Sequence, residues 1–165
     1  MCEETINKLQ GLLKKATGLG ADAAEVVYVH QESLSHSQRF GKTENIERAE
    51  NADIGLRVFN GKKQSVVSSS DQTPSALNNL AERAVAMAKA VPQDEYCGLA
   101  DPDQLQKIEP PELEMFDESK PDTDTLIEWA RSAEGAALEV NGITNSEGAE
   151  AGWMQSEVFL AATNG

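Results

Sequence analysis

The chain has 165 residues, a net charge of -14 from 28 acidic and 14 basic side chains, and only 5% aromatic residues. That length suits one hydrophobic core, so we expect one domain. Lysine and arginine clusters bind phosphate backbones and anionic lipid surfaces, so this charge argues against nucleic-acid and membrane partners. The sequence contains neither a transmembrane-length apolar run nor an N-terminal signal pattern, which predicts a cytoplasmic location.

The first part of the chain is typical of an antiparallel sheet with a covering helix. Apolar residues at helical spacing from Ile6 to Ala16, followed by Gly18, predict an amphipathic helix that ends there. About five strand-like runs follow between residues 25 and 69, and their short spacing predicts a meander. The runs are 25–30, 33–40, 43–50, 53–59 and a last one after Asn60-Gly61.

Two turns set the pairing of these strands. Gly41-Lys42 separates the two weakly hydrophobic runs. Asn60-Gly61 predicts a two-residue hairpin of the primed type, which places Leu56 opposite Ser65 and Ile54 opposite Val67.

A second helix is predicted to start at Thr73-Pro74, because a hydroxyl N-cap followed by proline is a typical helix start, and to end before Pro92. Its apolar stripe should pack on the meander. An extended, acidic and proline-rich connection then occupies residues 93–121. The stripe comprises Leu77, Leu80, Ala81, Ala84, Val85 and Ala88.

Asp122-Thr123 predicts a third helix, ended by Asn141-Gly142. A short strand at Ile143-Thr144 and a terminal strand, which runs from Trp153 into the turn Asn164-Gly165 without a return strand, predict an incomplete second sheet. The expected apolar face of the third helix comprises Leu126, Ile127, Ala130, Ala133, Ala137 and Val140.

These elements predict an α+β fold: an antiparallel meander of about five strands covered by two helices, with a third helix and an incomplete second sheet. We expect three segments: 1–92, 93–121 and a truncated 122–165. Together they would form one N-terminal domain of a longer protein.

The residue types that carry chemistry form no recognisable site. His30, His36, Cys2 and Cys97 are zinc-ligand types, but they lack the one-turn helical spacing of a His-Glu-x-x-His motif. No Gly-x-Ser-x-Gly elbow surrounds a serine, and the sequence at Gly18 follows a helix, which is the reverse of a dinucleotide loop. The sequence therefore predicts no catalytic, cofactor-binding or metal-binding residue in this chain.

The acidic and polar runs have simpler interpretations. The acidic run from Asp117 to Asp124, like Asp101 with Asp103, lacks the glycine of a calcium loop and is typical of helix caps and solvated surface. The polar strands 33–50 are either plain surface or an edge that could add an extended peptide as a further strand.

Six stretches, in order, resemble the amino-terminal region of the TldD/PmbA family, specifically its PmbA (TldE) branch. None of them is diagnostic alone, but together they span nearly all of residues 20–148. They are Gly20-Ala-Asp-Ala-Ala-Glu25-Val, Phe40-Gly-Lys-Thr-Glu-Asn-Ile-Glu47, Ile54-Gly-Leu-Arg-Val58, Ser68-Ser-Ser-Asp71, Asp94-Glu-Tyr-Cys-Gly98-Leu-Ala-Asp101 and Ile143-Thr-Asn-Ser-Glu-Gly148.

This resemblance implies a cytoplasmic bacterial subunit of a metalloprotease that processes small peptide precursors and degrades unfolded polypeptides. It implies a TldD-type partner that carries the zinc, while a homodimer stays open. No cofactor is expected in this chain. Two other readings also stay open: a non-enzymatic binding module of the DNA-gyrase-modulator type, and a fragment of a TldD-type catalytic subunit. A complete enzyme with an unfamiliar site would need convergent titratable groups, and the sequence has only two histidines.

Overall fold

The computed structural model describes residues 2–105 and 111–164, with nothing stated of the Cys2 side chain. Within these ranges, three α-helices, one short 3₁₀ helix and four strands follow one another along the chain. They are α1 (Cys2–Gly18), β1 (Ala23–Arg39), β2 (Lys42–Asn60), β3 (Lys63–Ser69), α2 (Pro74–Ala90), a 3₁₀ turn (Pro102–Gln104), α3 (Thr123–Leu138) and β4 (Ala149–Ala162). No helix among the described residues is long and apolar enough to cross a membrane.

The four strands form one antiparallel sheet in the order β3-β2-β1-β4, which confirms the α+β fold class. The meander has three strands rather than about five, because β1 and β2 are 17 and 19 residues long and run through the polar stretches that the sequence pattern separated. Alternation of weakly hydrophobic residues does not mark a strand end when the backbone stays extended.

The hairpin between β2 and β3 is shifted from the predicted register. Asn60 pairs with Lys63, Leu56 with Val67 and Ile54 with Ser69, so the loop is Gly61-Lys62. Gly61 has a φ of +59°, as the first loop position of a primed turn requires. The shift is two residues, and it therefore leaves every side chain on its predicted face.

The terminal strand does not begin a second sheet. At its end, the Thr163 amide donates to the Ala24 carbonyl at 2.9 Å, beside the start of β1. β4 thus completes the first sheet at the edge next to β1. No strand forms at Ile143-Thr144, which follow the turn at Asn141-Gly142 and have no regular secondary structure.

The described residues divide into two compact units. Residues 2–30, 51–105 and 157–164 form the first, and residues 31–50 and 111–156 form the second. The first unit holds the hydrophobic core, to which α1, α2 and the inner face of the strands contribute. Its buried members include Leu9, Leu12, Leu13, Ala16, Val26, Ile54, Leu56, Val58, Leu80, Ala81, Ala84, Val85 and Ala88.

The two helices of this core are built as their sequence predicts. Thr73 caps α2 by accepting a hydrogen bond from the Ala76 amide at 3.3 Å, and Pro74 occupies the first turn. All predicted stripe residues of α2 are buried except Leu77, which packs partly buried against the same core. On α1, Ile6 is 40% exposed, and the polar Thr5 is buried instead.

The connection after α2 contains the short 3₁₀ turn, and Ile108 lies outside the described residues. Leu113, Met115 and Phe116 are exposed, so these three side chains do not anchor the segment, whereas Cys97 is buried. Polar contacts also anchor it: the Asp94 amide donates to the Lys62 carbonyl at 2.7 Å, and the indole of Trp153 donates to the Ser119 carbonyl at 2.9 Å.

Candidate functional site

The tip of the β1–β2 hairpin, in the second unit, has an unusual backbone. Its two loop residues are Phe40, with φ at +49°, and Gly41, with φ at +68°. Positive φ at both positions is the mark of a type I′ turn, and it is strained for any residue other than glycine, asparagine or aspartate. The turn lies one residue earlier than the predicted Gly41-Lys42, and an external group must hold it in place.

That group is the carboxylate of Glu134 on α3, which is only 3% exposed. One oxygen accepts from the Phe40 amide at 2.7 Å, and the other accepts from the Gly41 amide at 2.8 Å. The Gln38 side-chain amide at 3.0 Å and the Ser146 hydroxyl at 2.8 Å complete the site. We call these five residues the Glu134 socket.

The socket stabilises the ionised form of the carboxylate. The Gly41 amide contributes most, and the Ser146, Phe40 and Gln38 donors outweigh the opposing effect of desolvation, so the pKa of Glu134 falls from 4.5 to about 2. No cation is required, because four donors supply the positive ends of their dipoles. The glutamate is therefore charged and fully hydrogen-bonded at neutral pH.

The segment after α3 closes the socket from the other side. Ser146 accepts a hydrogen bond from the Gly148 amide at 2.9 Å, and its carbonyl accepts from Arg39 Nε at 2.9 Å. Gly148 has a φ of +110°, and a side chain there would place its Cβ 2.5 Å from the carbonyl oxygen of Gln38. Only glycine fits so close to the backbone of β1.

Sequence analysis missed Glu134, although two of the six stretches that carry the family resemblance meet at its carboxylate. One stretch begins with Phe40-Gly41, and the other ends with Ser146, Glu147 and Gly148. A signal was available: Leu126, Ala130 and Glu134 recur every four residues and are the buried residues of α3. The predicted apolar face was wrong for Ala133, Ala137 and Val140, which are all exposed.

A groove of about 370 Å³ lies elsewhere in the same unit, beside the start of α3. Its apolar lining includes Leu34, Ile46 and the ring of Trp153. The Asp122 side chain caps α3 by accepting from the Thr125 amide at 2.9 Å, which holds the helix end at the groove. The Thr125 hydroxyl also donates to Asp122, at 2.7 Å, and this hydrogen bond, together with that of the amide, lowers the pKa of the Asp122 carboxyl.

The groove has charges of both signs on its walls. Lys120 forms an ion pair with Glu32 at 2.5 Å and lies 5.2 Å from the centre of the Trp153 ring. Arg48, by contrast, has no hydrogen-bonding or ionic partner among the residues that the structure describes. An exposed cation beside apolar walls can bind an extended peptide or a small acid, but no group there is arranged for catalysis.

His36 and Cys97, two of the candidate zinc-ligand residues, are both buried. His36 is fully buried, and its Nε2 lies 3.1 Å from the Thr43 hydroxyl. Cys97 is a buried free thiol. Neither residue belongs to a cluster of three potential metal ligands within residues 2–105 and 111–164. His30 is half-buried, with Nδ1 at 3.8 Å from the Glu157 carboxylate.

The serines and acidic residues have structural partners. Ser69 donates to the Asp71 carbonyl at 3.0 Å in the turn before α2, and Asp117 accepts from the Ser119 amide at 2.7 Å. The backbone hydrogen bonds that they accept lower the pKa values of Asp71 and Asp117. The chain leaves α1 at Gly18, where the following Leu19 amide still donates to the Lys15 carbonyl at 3.1 Å. These residues serve as turn and cap groups.

Residues 24–88 match the family model described as PmbA/TldA metallopeptidase domain 1. The matched stretch is thus similar to the first domain of a metallopeptidase family. Among curated proteins, the chain is 38% identical over 135 residues to the metalloprotease PmbA homolog of Haemophilus influenzae and 33% identical over 129 residues to metalloprotease PmbA of Escherichia coli O157:H7. The chain is therefore similar to PmbA-type metalloproteases, and its residues 24–88 match the first domain of that family.

These matches cover 81% and 78% of this chain but only 30% and 28% of the two curated relatives. Two solved structures share the fold. A protein described as a modulator of DNA gyrase from Bacteroides thetaiotaomicron matches with a TM-score of 0.89 and 21% identity, covering 98% of this chain and 37% of its own. TldE from Thermococcus kodakarensis matches with a TM-score of 0.76 and 18% identity, covering 96% and 35%.

Proposed function

We propose that the chain is the amino-terminal part of a PmbA/TldE-type subunit in a cytoplasmic metalloprotease that processes small peptide precursors and degrades unfolded polypeptides. The observation that supports this most directly is the 38% identity over 135 residues to the metalloprotease PmbA homolog. The role of the chain in that assembly is structural: it supplies walls for the peptide and surface for subunit pairing.

Hydrolysis in this proposal takes place at a zinc ion held by a TldD-type partner subunit. Zinc supplies a Lewis acid and an activated water for attack on a peptide carbonyl. His36 and Cys97 are not placed to hold that ion, because the buried His36 is engaged with Thr43 and Cys97 belongs to no three-ligand cluster among the described residues. What it can contribute is an ordered groove and an ordered hairpin.

The charge of the chain favours one class of substrate. A net charge of -14 raises the local concentration of neutral or basic flexible peptides and repels acidic ones. In the groove, Trp153 and Ile46 offer apolar contact to such a peptide, while the charged groups on its walls are of both signs. Recognition of this kind is tolerant of sequence, as degradation of unfolded polypeptides requires.

A second candidate function is a non-enzymatic binding module. The description of the Bacteroides thetaiotaomicron structure as a modulator of DNA gyrase favours it. Such a module would bind a folded partner, and its natural full-length form would show no peptidase activity with any second subunit.

The test is peptidase activity on an unfolded protein substrate. The chain alone, its natural full-length form, and that form mixed with a TldD-type subunit are compared. Activity in the mixture alone supports the proposal, and activity that appears without the TldD-type subunit contradicts it. The mixture with the chelated TldD-type subunit is the control, because removal of zinc should abolish hydrolysis.

A further inference from the structure

Half of β2 has an unpaired outer edge. β3 pairs with β2 only from Ile54 to Asn60, so no strand of the described chain lies against Lys42–Asp53 on that side. The side chains from Lys42 to Arg48 are all exposed, and they add nothing to a core. A strand edge of this length is a template for pairing with another strand unless the sequence opposes it.

The Glu134 socket keeps this edge ordered. It fixes the Phe40-Gly41 turn, from which β2 starts, through hydrogen bonds of 2.7 and 2.8 Å to a buried carboxylate. Burying a charged carboxylate costs free energy, even with four hydrogen-bond donors. The part of β2 that it holds adds little to the hydrophobic core. The socket therefore fixes the point at which this edge begins.

The edge is complementary to itself. Side chains at alternate positions of a strand share one face, and on β2 this places Glu44, Ile46 and Arg48 together. Ile46 and Arg48 line the same groove, as that alternation requires. When a second β2 runs antiparallel with Ile46 opposite Ile46, each Glu44 faces the Arg48 of the other copy. The charge pattern therefore reverses about Ile46.

Ile46, Glu44 and Arg48 are available for this contact. Ile46 is 48% exposed, and neither Glu44 nor Arg48 has a hydrogen-bonding or ionic partner among the described residues. Opposite charges and apolar pairs directly across antiparallel strands stabilise the pairing, while like charges oppose it. The other face is compatible as well, because Asn45 would lie opposite Glu47.

The length of the unpaired edge of β2 also fits the register with Ile46 opposite Ile46. With Ile46 opposite Ile46, the Phe40-Gly41 turn of the second copy comes opposite Asn51 and Ala52. This is just before Ile54, where β3 begins to occupy the edge. The register that matches the charges therefore also ends where the free edge ends.

We infer that β2 pairs with β2 of a second copy of this chain about a two-fold axis at Ile46, joining the two sheets into one. Such an interface is isologous, since each copy contributes the same segment. It is small and partly polar, so the association should be weak, dependent on concentration and weakened by salt. It does not depend on the proposed peptidase role.

The test is sedimentation velocity of the chain across a wide concentration range. Arg48→Glu places four carboxylates in two facing pairs, and we expect the dissociation constant of the dimer to rise at least about tenfold. The double variant Glu44→Arg with Arg48→Glu restores opposite charges, and we expect it to restore dimerisation. Ile46→Lys puts two ammonium groups at the axis and should also abolish the dimer.

Matched controls separate this edge from the rest of the surface. Met154→Lys changes a side chain that is 63% exposed on β4, and it should leave dimerisation unchanged. Circular dichroism checks that each variant is folded. The inference is overturned if the chain stays monomeric at every concentration. It is also overturned if the β2 charge variants do not change dimerisation, or if the double variant does not restore it. If the β2 variants still self-associate but no longer bind a TldD-type subunit or an extended peptide, the edge belongs to that partner instead.

Discussion

Substitution of Gly148 by alanine tests whether the close approach of the 146–148 segment to β1 is required by the fold. The new Cβ would lie 2.5 Å from the Gln38 carbonyl oxygen and 3.5 Å from its carbon, and the backbone would keep a φ of +110°. The obstructing atoms belong to the backbone of a central strand, so no side-chain rotation can relieve the overlap.

Two costs add in this variant. A non-glycine residue in this part of φ/ψ space costs about 1–3 kcal/mol, and overpacking a closely packed site costs about 1–3 kcal/mol more. Because Gly148 also donates to Ser146 in the Glu134 socket, a shift of the backbone would loosen that site as well. We expect the free energy of unfolding to fall by at least about 2 kcal/mol.

The assay is urea denaturation followed by tryptophan fluorescence, since Trp129 and Trp153 both lie in the unit that contains Gly148. Gly135→Ala is the matched control: Gly135 lies within α3 and has no atom within 4 Å of the added Cβ. There we expect a gain of about 0.5–1 kcal/mol from the higher helix propensity of alanine. The packing argument would be refuted if Gly148→Ala and Gly135→Ala changed the free energy of unfolding in the same direction. It would also be refuted if Gly148→Ala left that free energy unchanged.

Three further substitutions have expected outcomes. Glu134 has a folded-state pKa of about 2 against an ordinary 4.5, so its contribution to stability is fully present above about pH 4.5 and is lost as the pH falls toward 2. The stability gap between wild type and Glu134→Gln should therefore narrow over that window, and a gap that stays constant in urea unfolding at several pH values would contradict the socket. Leu126→Ala removes a side chain that is 0% exposed and should cost about 2–5 kcal/mol, whereas Met115→Ala, at 85% exposed, should change stability by less than about 0.5 kcal/mol. Thr73→Ala removes the N-cap of α2 and should cost about 0.5–2 kcal/mol, and Thr73→Ser, which keeps the hydroxyl, should recover most of the loss in thermal unfolding.

The parts of the fold that periodicity governs were predictable from the sequence. The stripe of α2 is buried as expected, and Leu9, Leu12, Leu13 and Ala16 of α1 lie in the core. The error in the β2–β3 register did not disturb the core, because a shift of two residues keeps Ile54 and Leu56 facing inward. Sequence determines which face of a strand is buried more strongly than it determines which residues pair.

The lengths of β1 and β2 could not be predicted from local pattern. Both continue through polar residues because hydrogen bonding to neighbouring strands does not require apolar side chains. The position of the turn at Phe40 also could not be predicted from local pattern. A left-handed phenylalanine is unfavourable alone, and the Glu134 carboxylate that stabilises it is 94 residues away in sequence.

The third helix shows why the candidate site escaped sequence analysis. A glutamate at the same spacing as Leu126 and Ala130 looks like a break in an apolar stripe, and alanines at 133 and 137 look like its continuation. The structure reverses this reading, because four donors from two distant segments make the glutamate the buried residue. Periodicity measures apolar burial alone. A charged residue on a buried stripe needs hydrogen-bond partners. Here those partners lie in the turn and in the glycine segment, which carry the family resemblance.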